Sequence, residues 1–496
     1  MGRPCAPPVL SFQTPAVNVL FASAEVSPFA KVGGLADVAG SLPVALRALG
    51  HDARIVMPAY RMVLDDPRWS TRDIARFTVE VGPGWTEEAV AYASSIEDVP
   101  VILVGGDRWF QDAVSSETVY TPGAEQYLFF ARAALEATKA LGWKPDVVHA
   151  NDWHMAFLPL LMREGGDRTW DDVGAVFTIH NLAYQGCFGP ELLDQLGLPQ
   201  RLFNMHQAEA WGTLNFLKTG CVFSDQVNTV SPRYAHEIQT PEFGCGLDGV
   251  MRMLHDHRAL HGILNGLDTG RFDPSQDPAL VRNFSADDRS GKAECRAALM
   301  RELGLPEIEG CPVAGVVSRL SEQKGMDLML HAADALAAVP IQLVVLGVGD
   351  PWLAGEFQAL QELLPNHVRF VERFDLDLAQ RIYAGCDLFL MPSRYEPCGL
   401  GQLIALRYGT LPVVRETGGL ADTVWEGVNG FSFLPQTEDA FLGAVRRARE
   451  AFCDPVRWQA MQTTAMSGGY GWVRSAGEYE ALYGRAIARR QPVLTA

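Results

Sequence analysis

A chain of 496 residues, 48% apolar and 20% charged, is too long for one ordinary core and composed like a globular protein, so two domains are expected. A formal charge of −18 argues against nucleic-acid or anionic-membrane partners, which require an excess of Lys and Arg, and no apolar run nears the roughly 20 residues of a membrane helix. A neutral polymer suits this charge; an anionic ligand would need local basic residues. Nine cysteines, odd in number, scattered and without a CxxC pair, read as reduced core thiols of a cytoplasmic protein. The start, MGRPCAPPVLSF, lacks the basic-then-apolar order of a signal segment, and residues 1–15 are expected to be a disordered lead.

Residues 17–22 (VNVLFA) predict a buried strand. Gly33 and Gly34 follow, just before a helical pattern whose apolar positions are Leu35, Val38, Leu42, Leu46 and Leu49. Strand, Gly-Gly loop and helix can aim backbone N–H groups at a phosphate, and Lys31 stands beside them; a lone Gly-Gly is more often an ordinary turn. Further strands are predicted at Ala53–Met57, Pro100–Val104, Val147–Ala150 and Ala175–Ile179, with helices at Glu125–Leu141 and Met155–Glu164. This alternation predicts a largely parallel sheet. Arg76–Ser94, with GPG in its middle, reads as a hairpin insertion. Two polar clusters end strands in this half: Asn151 to His154, and His180 to Gly186. Residues 262–294, rich in Pro, Asp, Ser and Gly, lose the periodicity and mark a domain boundary.

The second half restarts the pattern. Strands are predicted at Val313–Val317, Gln342–Leu346, Val368–Val371, Leu388–Met391 and Pro412–Val414. Helices are predicted at Met326–Ala338, Trp352–Leu364, Leu378–Ala384, Gly399–Tyr408 and Glu438–Phe452. Arg319 and Lys324 sit at a strand exit, and MPSRYEPCGL (391–400) puts Glu396 at a strand-to-helix turn. KVGGLADV (31–38) is echoed by ETGGLADT (416–423); two halves facing across a cleft would bring both loops to one ligand.

No complete G-x-G-x-x-G occurs, the nearest being Gly347 to Gly349, and there is no P-loop, G-x-S-x-G or H-E-x-x-H. Asp375 and Asp377 have a D-x-D spacing, but their place before a helical run suits an N-cap better than a metal. His149 and His154 lack helical metal spacing, so no metal is assigned; no cofactor is expected either. What remains is a set of cations, Lys31, Arg319 and Lys324, with glycine-loop amides, which suits a diphosphate. Glu396 in a turn suits sugar hydroxyls. Together these residues point to sugar transfer from a nucleotide diphosphate, with the cations stabilising the leaving group.

KVGGLADV, HNLAYQG, SRLSEQKGMDL, SRYEPCGL and ETGGLADTV, in that order, resemble the motifs of bacterial glycogen synthases and plant starch synthases. The likeness runs from about Asn18 to about Tyr483. It implies an α/β, GT-B fold of two Rossmann-like domains facing across a deep cleft: 16–262, a hinge at 263–275, 276–472, and a C-terminal helix, 473–496, crossing back to the first domain. The implied reaction moves glucose from ADP-glucose to the non-reducing end of an α-1,4-glucan with retention of configuration and without a metal. The implied donor site is Lys31, Gly33 and Gly34 from the first half, and Arg319, Lys324 and Phe374 (against adenine) from the second. Glu396 with the amides of Cys398, Gly399, Leu400 and Gly401 would hold the glucose and phosphate, aided by His180 and Asn265. Glu25, Asp37 and Asp152 would line the glucan side.

Two positions depart from the family: Gly401 stands where Thr or Ser is common, and Phe374 where Tyr is common. Ile404, where other related glycosyltransferases often carry a second Glu, matches the starch-synthase-like branch. Two other readings stay open at this point. One is another GT-B enzyme, such as an epimerase or a phosphorylase with a lysine-bound pyridoxal phosphate; the other is a glucan-binding protein without activity.

Overall fold

The structure is a computed structural model that describes residues 15–106, 108–333 and 339–491. The expected disordered lead therefore lies outside the described residues except for Pro15. Two large sheets form. The first has twelve strands' worth of chain behind it: β1 (Asn18–Ala22), β2 (Asp52–Pro58), β3 (Arg72–Gly82), β4 (Trp85–Ile96), β5 (Val99–Gly106), β6 (Val147–Asn151) and β7 (Gly174–Ile179), then β8 (Cys187–Phe188), β9 (Glu209–Ala210), β10 (Thr213–Asn215), β11 (Gln226–Thr229) and β12 (Leu260–Gly262). Nine of them make one sheet in the order β12-β11-β7-β6-β1-β2-β5-β4-β3, and β8-β10-β9 form a small satellite sheet. The expected hairpin insertion is β3 and β4, which pair antiparallel at the sheet edge, β4 also running antiparallel to β5; the other pairings of this sheet are parallel, and those of the satellite sheet are antiparallel.

The second sheet is wholly parallel: β13 (Val313–Val317), β14 (Gln342–Leu346), β15 (Val368–Val371), β16 (Leu388–Met391), β17 (Leu411–Arg415) and β18 (Phe431–Phe433), in the order β15-β14-β13-β16-β17-β18. Apart from the edge strand β15, its strands, like β1 and β7, are short, largely apolar runs buried on both faces, as a helix-covered parallel sheet requires.

The strand order determines where a ligand can sit. In the first sheet the order reverses between β1 and β6, and in the second between β13 and β16. At a reversal, the connections leave on opposite faces and open a crevice at the strands' carboxyl ends. Glu25 follows β1 and Asp152 follows β6; Arg319 and Lys324 follow β13 and Glu396 follows β16.

The helix Val473–Ala488 belongs to the first sheet's core, although it comes last in the chain. Ala476, Tyr479, Leu482, Tyr483 and Ala486 are fully buried there. Tyr483 Oη meets His149 Nδ1 at 2.9 Å, and Asn228 Nδ2 donates to Tyr479 Oη at 3.0 Å. His149, set aside above as a metal ligand, is thus a core residue, and burial drives it neutral by lowering its pKa to about 3.

Three expectations need correction. The helix after Glu396 starts at Gly401, not Gly399, because Gly399 has φ +75° and cannot continue a right-handed helix. The helix from Met326 ends at His331, and residues 334–338 of its expected span lie outside the described residues. The cysteines are free among the described residues, but only five are core thiols; Cys187, Cys245 and Cys453 are exposed, on an edge strand, a loop and a helix end. Asp375 does cap its helix, accepting from Leu378 N at 2.9 Å. No helix of the described residues is long and apolar enough to cross a membrane.

Candidate active site

Both crevices open into one cavity of about 610 Å³. From the first half it is lined by Glu25, Lys31, Gly33, Gly34, Asp37, Asp152 and His180, with Asn265 beyond β12. From the second half come Arg319, Lys324, Glu396, Cys398, Gly399 and Leu400. Gly401 lines a smaller cavity of about 170 Å³ that shares Lys31, Asp37, Lys324 and Glu396 with the first. Phe374 is not brought in: it lines neither cavity and is 75% exposed, since it sits on the loop before the helix cap at Asp375.

Glu396 is 5% exposed, and its Oε2 accepts from Lys324 Nζ at 2.6 Å and from Ser393 Oγ at 3.1 Å. The turn behind it is packed without slack. A Cβ on Gly418 would lie 1.9 Å from the Glu396 carbonyl oxygen, and one on Gly419 2.2 Å from that of Cys398. Only glycine lets the second Gly-Gly loop approach so closely. That loop therefore supports the turn from behind and does not line the cavity, contrary to the expectation that both loops would meet one ligand. Its helix end is instead met by Glu237, whose carboxylate accepts from Gly418 N at 3.1 Å and Thr417 Oγ1 at 3.2 Å. Arg319 is exposed and makes no ion pair among the described residues.

On the opposite wall, Lys31 Nζ is held by Asp37 at 2.6 and 2.7 Å. Glu25 Oε2 accepts from the amides of Val32 (2.6 Å) and Gly33 (2.8 Å), and its Oε1 accepts from Tyr120 Oη at 2.9 Å. The first Gly-Gly loop thus already holds a carboxylate where an anion would sit. Burial outweighs these hydrogen bonds and leaves the Glu25 carboxyl above its ordinary pKa.

Asp152 has φ +57°, an uncommon conformation for a non-glycine residue, and it is held there by accepting His180 N at 2.8 Å. Burial raises its carboxyl to about 7. His180 is driven down to about 3 by burial and is neutral. Its Nε2 meets Asn151 Oδ1 at 3.0 Å, while Asn151 Nδ2 donates to Ala22 O at 3.1 Å. The second bond fixes the amide's orientation, so Nε2 carries the proton and Nδ1 is left as an acceptor. Asn265 is 8% exposed, and its Oδ1 has no partner among the described residues.

Sequence reasoning missed Tyr120, Asn181, Tyr184 and Gln323, all of which line the cavity. Tyr120 lies in an aperiodic stretch and offered no signal. The others sit inside HNLAYQG and SRLSEQKG, where the quoted motifs contained them without assigning them a task.

A likeness to known proteins runs over nearly all of the chain. Residues 18–253 match the starch synthase catalytic domain, and residues 304–451 match the glycosyl transferases group 1. A glycogen synthase of Anaeromyxobacter sp. is 45% identical over 482 residues, 95% of this chain and 100% of that protein. One from Thermotoga maritima is 44% identical over 95% of this chain and 99% of its own. The catalytic domain of starch synthase IV from Arabidopsis thaliana, solved bound to ADP and acarbose, superposes with a TM-score of 0.88 at 34% identity, covering 96% of this chain and 100% of that one. A sucrose-phosphate synthase from Thermosynechococcus elongatus, 18% identical with a TM-score of 0.59, shares the fold alone. With relatives of this identity matched end to end, and a two-domain GT-B cleft carrying the quoted motifs, the chain belongs to the glycogen and starch synthase family of glycosyltransferases.

Proposed function

We propose that the chain transfers glucose from ADP-glucose to the non-reducing end of an α-1,4-glucan, with retention of configuration. The observation that carries this reading is the convergence, at two facing sheet reversals, of the buried Glu396 paired with a half-buried Lys324, and Arg319, on one wall and Lys31, Asp152 and His180 on the other. In this reading Arg319 and Lys324 hold the diphosphate. They stabilise the charge that grows on it as the glycosidic bond breaks. Lys31 joins them from across the cleft, exchanging Asp37 for a phosphate oxygen. Glu396 and the 398–400 turn hold glucose hydroxyls, Asn265 offers its unpartnered Oδ1 to the sugar, and Glu25, Asp37 and Asp152 face the glucan.

Retention then proceeds by attack on the face from which the phosphate leaves. Glu396 is engaged by Lys324 and Ser393, and Asp152 is protonated up to about pH 7, so neither is a free carboxylate nucleophile. The departing phosphate takes the proton of the attacking hydroxyl. His180, being neutral, adds no positive charge beside the reacting carbon. We place the hinge at 263–275, beside the return crossing near 472.

The test is donor competition: radiolabelled glucose from ADP-glucose and from UDP-glucose is offered together with glycogen. Incorporation from ADP-glucose in preference is expected, and no incorporation from either donor would refute the reading. Trapping of a glucosyl-enzyme adduct would refute the same-face mechanism.

A further inference from the structure

The smaller cavity, of about 170 Å³, lies under the turn that carries Glu396 and is flanked by Lys31, Lys324 and Gly401. Tyr383 also lines it. This residue sits on the helix Leu376–Gly385, and its ring is fixed against Phe389 (centroids 4.9 Å apart) and Tyr408 (6.4 Å). The residue is only 5% exposed; its hydroxyl carries no hydrogen bond to a described group, and it is not one of the fully enclosed polar atoms, so it opens onto the cavity. A hydroxyl in so enclosed a setting favours a polar partner, and its open side is a cavity flanked by two ammonium groups, each paired with a carboxylate, Lys31 with Asp37 and Lys324 with Glu396. The position of Gly401 is tied to the same hydroxyl. A Cβ there would lie 3.0 Å from Phe389 Cε1, a tight approach, and 3.4 Å from Tyr383 Oη, an ordinary contact, so a hydroxyl at 401 would stand beside that of Tyr383.

We propose that Tyr383 is a donor-binding residue, its hydroxyl donating a hydrogen bond to an oxygen of the donor's diphosphate from the position a residue-401 hydroxyl would otherwise occupy. The proposal rests on the reading above that this cleft takes a nucleotide diphosphate sugar. Burial and the nearby charge of Asp37 hold the hydroxyl well above the ordinary tyrosine range, so it stays a donor at every working pH. The absence of a side chain at 401 is then no loss to the site, because the hydroxyl is supplied from the neighbouring helix.

Tyr383→Phe keeps the ring and its stacking and removes only the oxygen. In the full-length chain, the KM for ADP-glucose and the calorimetric Kd for ADP should both rise roughly tenfold, the loss of one hydrogen bond to a charged group. The KM for glucan should not move. Adding Gly401→Ser to Tyr383→Phe should recover part of the ADP affinity, whereas Gly401→Ser alone should weaken it. Unchanged ADP affinity in Tyr383→Phe would overturn the proposal, as would an equal rise in the glucan KM. If the unsubstituted chain neither binds ADP nor uses ADP-glucose, the donor reading itself fails, which the unsubstituted chain alone decides.

Discussion

Charge in the cleft is held by internal pairs before any ligand arrives. Lys324 is on Glu396, Lys31 on Asp37, and Glu25 on two loop amides, so a donor must exchange partners, and Arg319 is the cation it meets unpaired among the described residues. Glu396→Gln keeps the size and the hydrogen bonds to Ser393 but removes the charge that orients Lys324. Turnover should fall by about 100- to 1000-fold, the scale of losing one preorganised electrostatic contact, with the thermal midpoint shifted by a few degrees at most. Unchanged turnover in a steady-state assay would remove Glu396 from the site. Asp152 makes a second residue-level prediction. Its carboxyl is raised from the usual 3.8 to about 7, so between those values the folded chain holds a proton that the unfolded chain releases. The group's contribution to stability is therefore full below about pH 4 and is lost as pH rises towards 7, at up to about 1.4 kcal/mol per pH unit. Asp152→Asn has no such proton to lose. Urea midpoints of the ligand-free proteins should show the variant gaining on the unsubstituted chain from pH 5 to pH 8; parallel curves would contradict the assignment.

At the scale of elements, the two Gly-Gly loops illustrate how one sequence pattern serves two tasks. Both open helices, and both have a carboxylate at the helix start, Glu25 for the first and Glu237 for the second. The first loop faces the cavity. The second is clasped by the helix Pro232–Glu237 of the other domain, where Ser231 Oγ also donates to Pro397 O at 2.6 Å, one residue from Glu396. Glu237→Ala would strand the Gly418 amide and the Thr417 hydroxyl, at a cost of about 2 kcal/mol. Because Gly418 and Gly419 touch the carbonyls of Glu396 and Cys398, turnover should drop as well. A loss of stability with full activity would show that the clasp does not position the turn. The C-terminal helix gives a cleaner case. Ending the chain at Gly471 would uncover the fully buried face made by Ala476, Tyr479, Leu482, Tyr483 and Ala486, and would leave His149 without its partner Tyr483. Such a chain should be recovered aggregated, as judged by sedimentation, because an apolar face of that size is not stable in water.

The chemistry is divided between two bodies that share one cavity, and we propose that they approach when both substrates bind. The two crossings between the domains run side by side. Leu267 N donates to Tyr470 O at 2.7 Å, and a Cβ on Gly266 would lie 2.7 Å from Trp472. Two adjacent strands of chain can bend together while the sheets remain rigid. Small-angle scattering should therefore record a smaller radius of gyration when ADP and a maltooligosaccharide are both present. Superimposable profiles with and without them would argue that the cleft does not close.

The linear sequence by itself carried the local chemistry: apolar runs of strand length, glycine pairs before helical periods, the cap at Asp375, and the placement of Arg319, Lys324 and Glu396 at strand exits. These are set by neighbours a few residues apart, and such neighbours are visible along the chain. Only the tertiary structure decided the order of the strands, and hence that β1 and β6, and β13 and β16, flank the two crevices. It alone placed the second Gly-Gly loop behind the site, left Phe374 on the surface, and set Tyr120 against Glu25 across 95 residues of chain. It also placed Gly401, which from its own neighbours looks like a missing hydroxyl, beside Phe389 and the hydroxyl of Tyr383. The physical reason is the same in each case: packing and desolvation depend on which side chains share a volume, and that is fixed by sheet topology at distances the local pattern does not encode.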